Sequence, residues 1–345
     1  MSDWAGRTAL VTGAASFIGS TLVDALLARG AKVKGIDDLS SGIIENLEQP
    51  IREGTIDWYQ ADLRQPGLLP MILRDVDTVF HLAADHGGRG YVDTYQAGPA
   101  SNLYLDGLVC WEAVQAKVER IVFASSGCIY PCHLQGNPDE ILYLTEEMAG
   151  PPYDADNMYG WAKLMTELTL QSYHQEFGVK TASCRYFTVY GPRAKENHAV
   201  IAMLAKAFVK QDPFEVWGTG EQIRNWTYVD DIVEGTIRAA ECIQDGTAIN
   251  LGTMERIRVL DAVKMAMDLM DHDAEIITKP DMPTGPLNRV ASNAKAKELL
   301  NWEPQVLFED GIRKTYDWYV KNRTVDQVKQ ILDLGGLIER KVETK

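Results

Sequence analysis

The residues best suited to chemistry are Tyr159 and Lys163, in Tyr-Gly-Trp-Ala-Lys. On a helix that spacing puts a phenol and an ammonium on one face. An ammonium beside a phenol favours phenolate and makes it a base for an alcohol proton. Ser125-Ser126 ends an apolar run upstream, Arg120–Ser125, that reads as a strand. A serine hydroxyl, Tyr159 and Lys163 converging beside a nicotinamide would carry out hydride transfer. A second cluster, Gly13-Ala-Ala-Ser-Phe-Ile-Gly19, falls between a strand, Thr8–Val11, and a helix, Ile18–Arg29. Glycine there allows a sharp turn, and the helix N-terminus at Phe17 and Ile18 aims N–H groups at a pyrophosphate. Ser16 stands where a middle glycine is usual. Its side chain would crowd the phosphates, although its hydroxyl can donate to them. Asp37 ends the second strand. A carboxylate there accepts from both ribose hydroxyls and repels a 2′-phosphate, which favours NAD over NADP. The other reading of Asp37 is a turn residue in Asp-Asp-Leu-Ser-Ser. Asp62 and Leu63 follow strand three, where they could reach the adenine amino group. Leu82, Ala83 and Ala84 offer small residues beside the cofactor after strand four.

These groups need a scaffold that brings strand ends together. Lys32–Ile36, Ile56–Gln60, Thr78–Leu82 and Thr181–Tyr186 read as further strands, and Ala100–Lys117 and Tyr159–Phe177 as helices. Apolar strands alternating with helices predict a parallel sheet covered on both faces. Right-handed crossovers make it a Rossmann-type doubly wound α/β sheet. The rhythm changes after Gly191-Pro192. Helices are expected over Ala199–Lys210, Asp231–Cys242, Val259–Met270, Asn293–Leu300 and Glu309–Lys321, with strands over Phe214–Trp217 and Ala248–Leu251. Lys279–Pro286 reads as Pro-rich loop, and Arg323–Lys345 as an amphipathic helix with a frayed end. The expected division is a cofactor domain over 1–190, rejoined by about 225–252, and a smaller mixed substrate domain over 191–224 and 253–345.

The chain has 345 residues, 34 basic and 49 acidic, so its formal charge is −15. That balance disfavours nucleic acid or an anionic membrane as the main partner. It leaves room for a local basic pocket that holds one phosphorylated small molecule. Five widely spaced cysteines make no disulfide framework and fit a reducing compartment. No stretch reaches about 18 uninterrupted apolar residues, and the first ten residues have no leader-like core. A cytoplasmic protein without a metal site is expected.

These motifs resemble the extended short-chain dehydrogenase/reductase family, the NAD-dependent nucleotide-sugar epimerases and dehydratases. The resemblance runs from about Arg7 to Asn322. It implies Ser126, Tyr159 and Lys163 as a catalytic triad, tightly bound and recycled NAD, and a homodimer. It also implies that Arg224 and Arg289 hold the substrate diphosphate, for which a planar guanidinium is apt. Arg185-Tyr-Phe-Thr188-Val-Tyr-Gly-Pro departs from the family pattern, because Thr188 replaces an asparagine that contacts the diphosphate or sugar.

Family dehydratases carry Asp-Glu directly after the triad hydroxyl; here Gly127-Cys128 stand there, which disfavours elimination of water. A cysteine at that place resembles the GDP-mannose 3,5-epimerases and GDP-fucose synthases. Asn197-His198-Ala199, opening a helix, resembles the second acid/base segment of the synthases. His198 would be the counterpart of the lysine used by the 3,5-epimerases, with Lys195 a weaker candidate. Asp85, Gly87 and Gly88 resemble a substrate segment of the 3,5-epimerases, and Trp217 a residue placed to stack on a purine. The bland readings are a small buried cysteine, a polar helix start and a core tryptophan. The expected activity is a GDP-hexose C3/C5 epimerase working through a transient 4-keto sugar. In that cycle Cys128 removes a proton and His198 returns one on the other face. The alternatives are a UDP-sugar 4-epimerase and a GDP-4-keto-sugar epimerase/reductase.

Overall fold

The computed structural model describes Trp4–Asp333. Residues 334–345 of the expected C-terminal helix lie outside the described residues, and its start is the helix Val325–Asp333. Six strands follow one another: β1 (Thr8–Thr12), β2 (Lys32–Asp37), β3 (Ile56–Gln60), β4 (Thr78–His81), β5 (Arg120–Ser126) and β6 (Lys180–Tyr186). A later strand, Asp245–Leu251, joins them in one sheet. The order is Asp245–Leu251, β6, β5, β4, β1, β2, β3. Every pairing is parallel. The strand order reverses where β1 lies between β4 and β2, and such a switch point opens a crevice at the carboxyl ends of the strands.

Both faces of the sheet are covered, as its near-continuous apolar strands require. On one face, Leu22, Val23 and Leu26 of helix Phe17–Ala28 pack with Ile232, Val233 and Ile237 of helix Val229–Cys242, and with Leu300 and Trp302. On the other, Val109, Cys110 and Ala113 of helix Asn102–Gln115 meet Leu170 of helix Asn157–Phe177. The smaller C-terminal part has its own core, around Trp226, Phe214 and Phe308, between helices Ala199–Phe208, Val259–Leu269 and Phe308–Asn322. The short strand Ile276–Lys279 pairs in parallel with Phe214–Trp217. The sequence reading missed it because its residues are half-buried or exposed and give no buried-strand alternation, unlike Phe214–Trp217. It also missed the short helices Arg89–Thr94 and Ala97–Ala100.

The helix Asn157–Phe177 carries Tyr159 and Lys163, and its seat is tight. A Cβ on Gly160 would lie 2.2 Å from the Cys128 carbonyl oxygen. The Asp156 N–H donates to that same oxygen at 2.8 Å. Absence of a side chain at Gly160 thus lets the helix start against the strand-end segment that bears Cys128. Gly160→Ala is expected to destabilise the fold by about 1–3 kcal/mol through overpacking. A urea midpoint equal to that of the wild type would show that the helix yields without cost.

Candidate active site

A cavity of ≈ 530 Å³ opens at the carboxyl ends of the strands. Every site residue read from the sequence lines it except Gly19. Gly19 acts one layer back: a Cβ there would sit 2.1 Å from the Gly13 carbonyl oxygen, so its absence lets helix and turn close up.

Ser16 explains its own departure. Its hydroxyl donates to the Gly13 carbonyl at 2.7 Å and accepts the Gly19 N–H at 3.0 Å. It caps the helix, so the proton that could have reached a phosphate is already committed to the turn. Asp37 accepts one backbone N–H per carboxylate oxygen, from Ala15 at 3.0 Å and Leu39 at 2.8 Å. An ionised carboxylate oxygen can take a second donor, which suits two ribose hydroxyls. Burial raises the Asp37 carboxyl and those two backbone donors oppose it. Asp62, expected toward adenine, instead bonds both its oxygens to Arg64 at 2.8–3.1 Å. The turn, the helix start with its N–H groups and Asp37 fit a dinucleotide.

Ser126 and Tyr159 are hydrogen-bonded to each other, and the Ser126 hydroxyl also accepts the Cys128 N–H at 3.1 Å. The Ser125 hydroxyl turns to the buried Glu167, which pairs with Arg185. The expected Lys163 effect on Tyr159 is not what the site displays. The Lys163 Nζ lies 5.8 Å from the Tyr159 ring centroid, 4.5 Å from that of Phe123 and 3.8 Å from Asp106 Oδ2. Burial pushes the Tyr159 phenol up rather than down, Cys128 and Asp106 add to this, and the Ser126 hydrogen bond opposes it. Burial likewise lowers Lys163, against the pull of Asp106.

A further part of the cavity lining comes from the second core. His198 precedes helix Ala199–Phe208 and meets Phe17 and His86 edge to face, at 5.9 and 6.1 Å between centroids. Gly88 lets that segment approach, because a Cβ there would lie 2.0 Å from the Asn197 carbonyl oxygen. The Gly87 position is closed off by Tyr91, whose hydroxyl donates to Asp85 at 2.7 Å. Asp85 thus braces the loop. Lys195 reaches Ser41 at 3.4 Å. Thr188 sits at φ 34°, where an asparagine is more at ease than a β-branched residue.

Three guanidiniums meet near Cys128. Arg289 donates to the Cys128 Sγ at 3.3 Å, to Asp156 at 3.1 Å and to Gln135 at 2.7 Å. Arg89 grips the same Asp156 with two donors at 2.5 and 3.1 Å. Arg224 donates to the carbonyls of Ile223 and Thr284, each at 2.8 Å. Burial, then Arg289 and Arg89, push Arg224 down to about 9. A buried cation held near two others fits an anionic ligand. Sequence reasoning missed Arg89, Asp156 and His86. The signal for two of them was present, because Arg89 directly follows Gly87-Gly88 and Asp156 directly precedes the site helix.

The sequence pattern of the NAD dependent epimerase/dehydratase family matches residues 9–252. The chain belongs to that family. NAD is the family's cofactor, and the architecture is that of extended short-chain dehydrogenases/reductases. GDP-mannose 3,5-epimerase 1 of Oryza sativa subsp. indica is 30% identical over 340 residues, 96% of this chain and 86% of the relative. UDP-glucose 4-epimerase of Mycolicibacterium smegmatis is 31% identical over 90% of this chain and 97% of its own. The crystal structure of Thermotoga maritima UDP-glucose 4-epimerase with UDP-glucose superposes with a TM-score of 0.81 at 28% identity, covering 91% of this chain and 99% of that one. The Thermus thermophilus UDP-glucose 4-epimerase complex with NAD gives 0.80 at 28%, over 92% and 100%. Epimerases are isomerases, and the family member described here is an isomerase. Among its described residues no helix is long and apolar enough to cross a membrane.

Burial, aided by Lys195, lowers His198 from 6.5 to about 4. The folded protein therefore binds fewer protons than the unfolded chain between those values, and stability falls as pH drops from 6.5 towards 4. His198→Gln removes this loss. Urea unfolding at pH 7.5 and pH 4.5 should show the wild type losing more stability than the variant. Equal losses would contradict the buried, neutral imidazole.

Proposed function

We propose that this isomerase is a GDP-hexose C3/C5 epimerase acting on a GDP-mannose-like sugar through a transient 4-ketone. The observation that carries the reading is a thiol and an imidazole lining one cavity from different elements, the thiol just after β5 with Ser126 and Tyr159 beside it and the imidazole at the start of helix Ala199–Phe208. NAD, which the Gly13 turn, the helix start at Phe17 and Ile18 and the Asp37 carboxylate would hold, would supply the hydride acceptor and donor for C4. Tyr159, once ionised beside Lys163 and the cationic nicotinamide ring that NAD would bring, takes the C4 hydroxyl proton. The ketone acidifies the C–H bonds at C3 and C5. Cys128 takes a proton from one face, and the Arg289 donor at its sulfur favours that role. His198 serves the other face. Because burial holds it neutral, it must first acquire a proton, which ties inversion to exchange with solvent. This refines the simple return of a proton expected from the sequence. The Ser126 and Tyr159 hydroxyls support the enolate oxygen. No net redox change results.

Arg224 and Arg289, with Arg89 beside them, suit the diphosphate, and Trp217 on the wall of the second core suits a purine face. The rice relative supports the GDP-sugar choice. A second reading, a UDP-sugar 4-epimerase, is supported by the mycobacterial and Thermotoga relatives. In it the ketone only rotates and Cys128 stands idle. A GDP-4-keto-sugar epimerase/reductase would consume NADPH, against Asp37. Exposed Tyr104, Trp111, Trp161, Met165 and Phe177 on helices Asn102–Gln115 and Asn157–Phe177 support a homodimer through those helices. The five unpaired cysteines of the described residues suit a reducing cytoplasm.

Offered a panel of GDP- and UDP-hexoses, the wild type should give products inverted at C3 or C5 with GDP-mannose, read by NMR. Cys128→Ala should lose that inversion by about 10²–10⁴-fold yet still form NADH in single turnover. Inversion at C4 alone, unchanged in Cys128→Ala, would establish the second reading instead.

A further inference from the structure

Beneath the cavity runs a buried polar chain that the reaction scheme does not use. It begins at Thr12, the last residue of β1. The Thr12 Oγ1 accepts the N–H groups of Leu82 and Ala83, both at 3.1 Å. Its own proton is then available only to His81 Nδ1, 2.8 Å away. A hydroxyl that accepts two donors and gives one proton fixes its partner as an acceptor. His81 is thereby the neutral tautomer protonated on Nε2, and that N–H points at Asp106 Oδ1, 3.1 Å away. The Asp106 Oδ2 accepts from Thr166 at 3.1 Å and faces the Lys163 ammonium at 3.8 Å. His81 and Asp106 are 0% exposed and Lys163 1%. The carboxylate receives only donors, so it stands as the counter-charge of Lys163.

We propose that Asp106 is a positioning residue for proton transfer at Tyr159: it holds the Lys163 ammonium on the cavity floor and offsets its charge, so that Lys163 alone does not ionise the phenol. The inference rests on the reading that Tyr159 moves the proton of a sugar hydroxyl, and is independent of Cys128 and His198. Near Lys163 lie Asp106 and Cys110. Facing Tyr159 are Ser126 and Cys128 from the end of β5, Asp106 from helix Asn102–Gln115, Lys163 from its own helix and Tyr186 from the end of β6. Of the acidic and basic groups in that set, Asp106 opposes phenolate, and an ammonium at Lys163 favours it. Removing the carboxylate charge leaves Lys163 unopposed and makes the phenol more acidic.

The test uses NAD-loaded enzyme labelled at tyrosine Cζ with carbon-13, the Tyr159 signal being the one lost in Tyr159→Phe. In Asp106→Asn the Tyr159 titration midpoint should fall by about one pH unit or more. The acid limb of the kcat/KM profile should move down with it. Asp106→Ser, a smaller neutral replacement, should act in the same direction, and Asp106→Glu should restore the wild-type titration. Identical midpoints in wild type and either folded neutral variant would overturn the proposal. Full activity in Tyr159→Phe would instead overturn the reaction reading beneath it.

Discussion

A lysine with almost no solvent contact has to be paired, and Lys163 is paired with Asp106. Two buried charges are tolerated only where hydrogen bonds satisfy the remaining polar atoms. His81 and Thr166 do that for the carboxylate. The participants come from three elements, with Lys163 and Thr166 on one helix, Asp106 on another and His81 at the end of β4, so the pair fixes more than itself. It ties helix Asn102–Gln115 to helix Asn157–Phe177. Through His81 and Thr12 it also ties both to the ends of β4 and β1, where the dinucleotide turn begins. The acid–base residue Tyr159 and the cofactor turn are thus held by one network, and neither can shift without disturbing the other.

The guanidinium cluster beside Cys128 obeys a different constraint. Its surplus is positive: Arg89 pairs with Asp93 and shares Asp156 with Arg289, while Arg224 has backbone carbonyls as partners. In a chain with a net charge of −15 this local excess of cations suits an anionic ligand. Burial, and then the crowding of Arg289 and Arg89, lower Arg224 and favour a ligand that restores balance. A diphosphate supplies two charges at this place and carries its sugar past Cys128 towards His198. A close glycine contact at Gly88 brings up the segment that bears His198, and one at Gly160 seats the Tyr159 helix against the Cys128 segment, because each admits a neighbouring carbonyl where a side chain would stand.

The sheet was legible because its strands are apolar runs closed by glycine or by a change of period. β3 and Phe214–Trp217 run over the residues expected, and helix Asn157–Phe177 closes at Gly178 in a left-handed turn. Tyr159, Lys163, Ser126 and the glycine turn were legible because their types and spacing carry chemistry by themselves. Asp106 was not, since an aspartate in a helical run reads as a surface residue until the packing shows it at 0% exposure. The same holds for Asp156 and Arg89, whose meaning comes from a partner 67 residues away. The direction of the Tyr159 shift differs from the expectation because sequence spacing gives the nearness of Lys163 but not the burial that raises the phenol, to which Cys128 and Asp106 add.

The central claim is that Cys128 and His198 exchange protons with a ring carbon next to a transient ketone. Incubation with GDP-mannose in heavy water, followed by NMR of the recovered sugar nucleotides, tests it most directly. The account predicts deuterium at the inverted C3 or C5 and protium retained at C4, where the hydride returns. Epimerised product carrying no solvent deuterium on any ring carbon would contradict it.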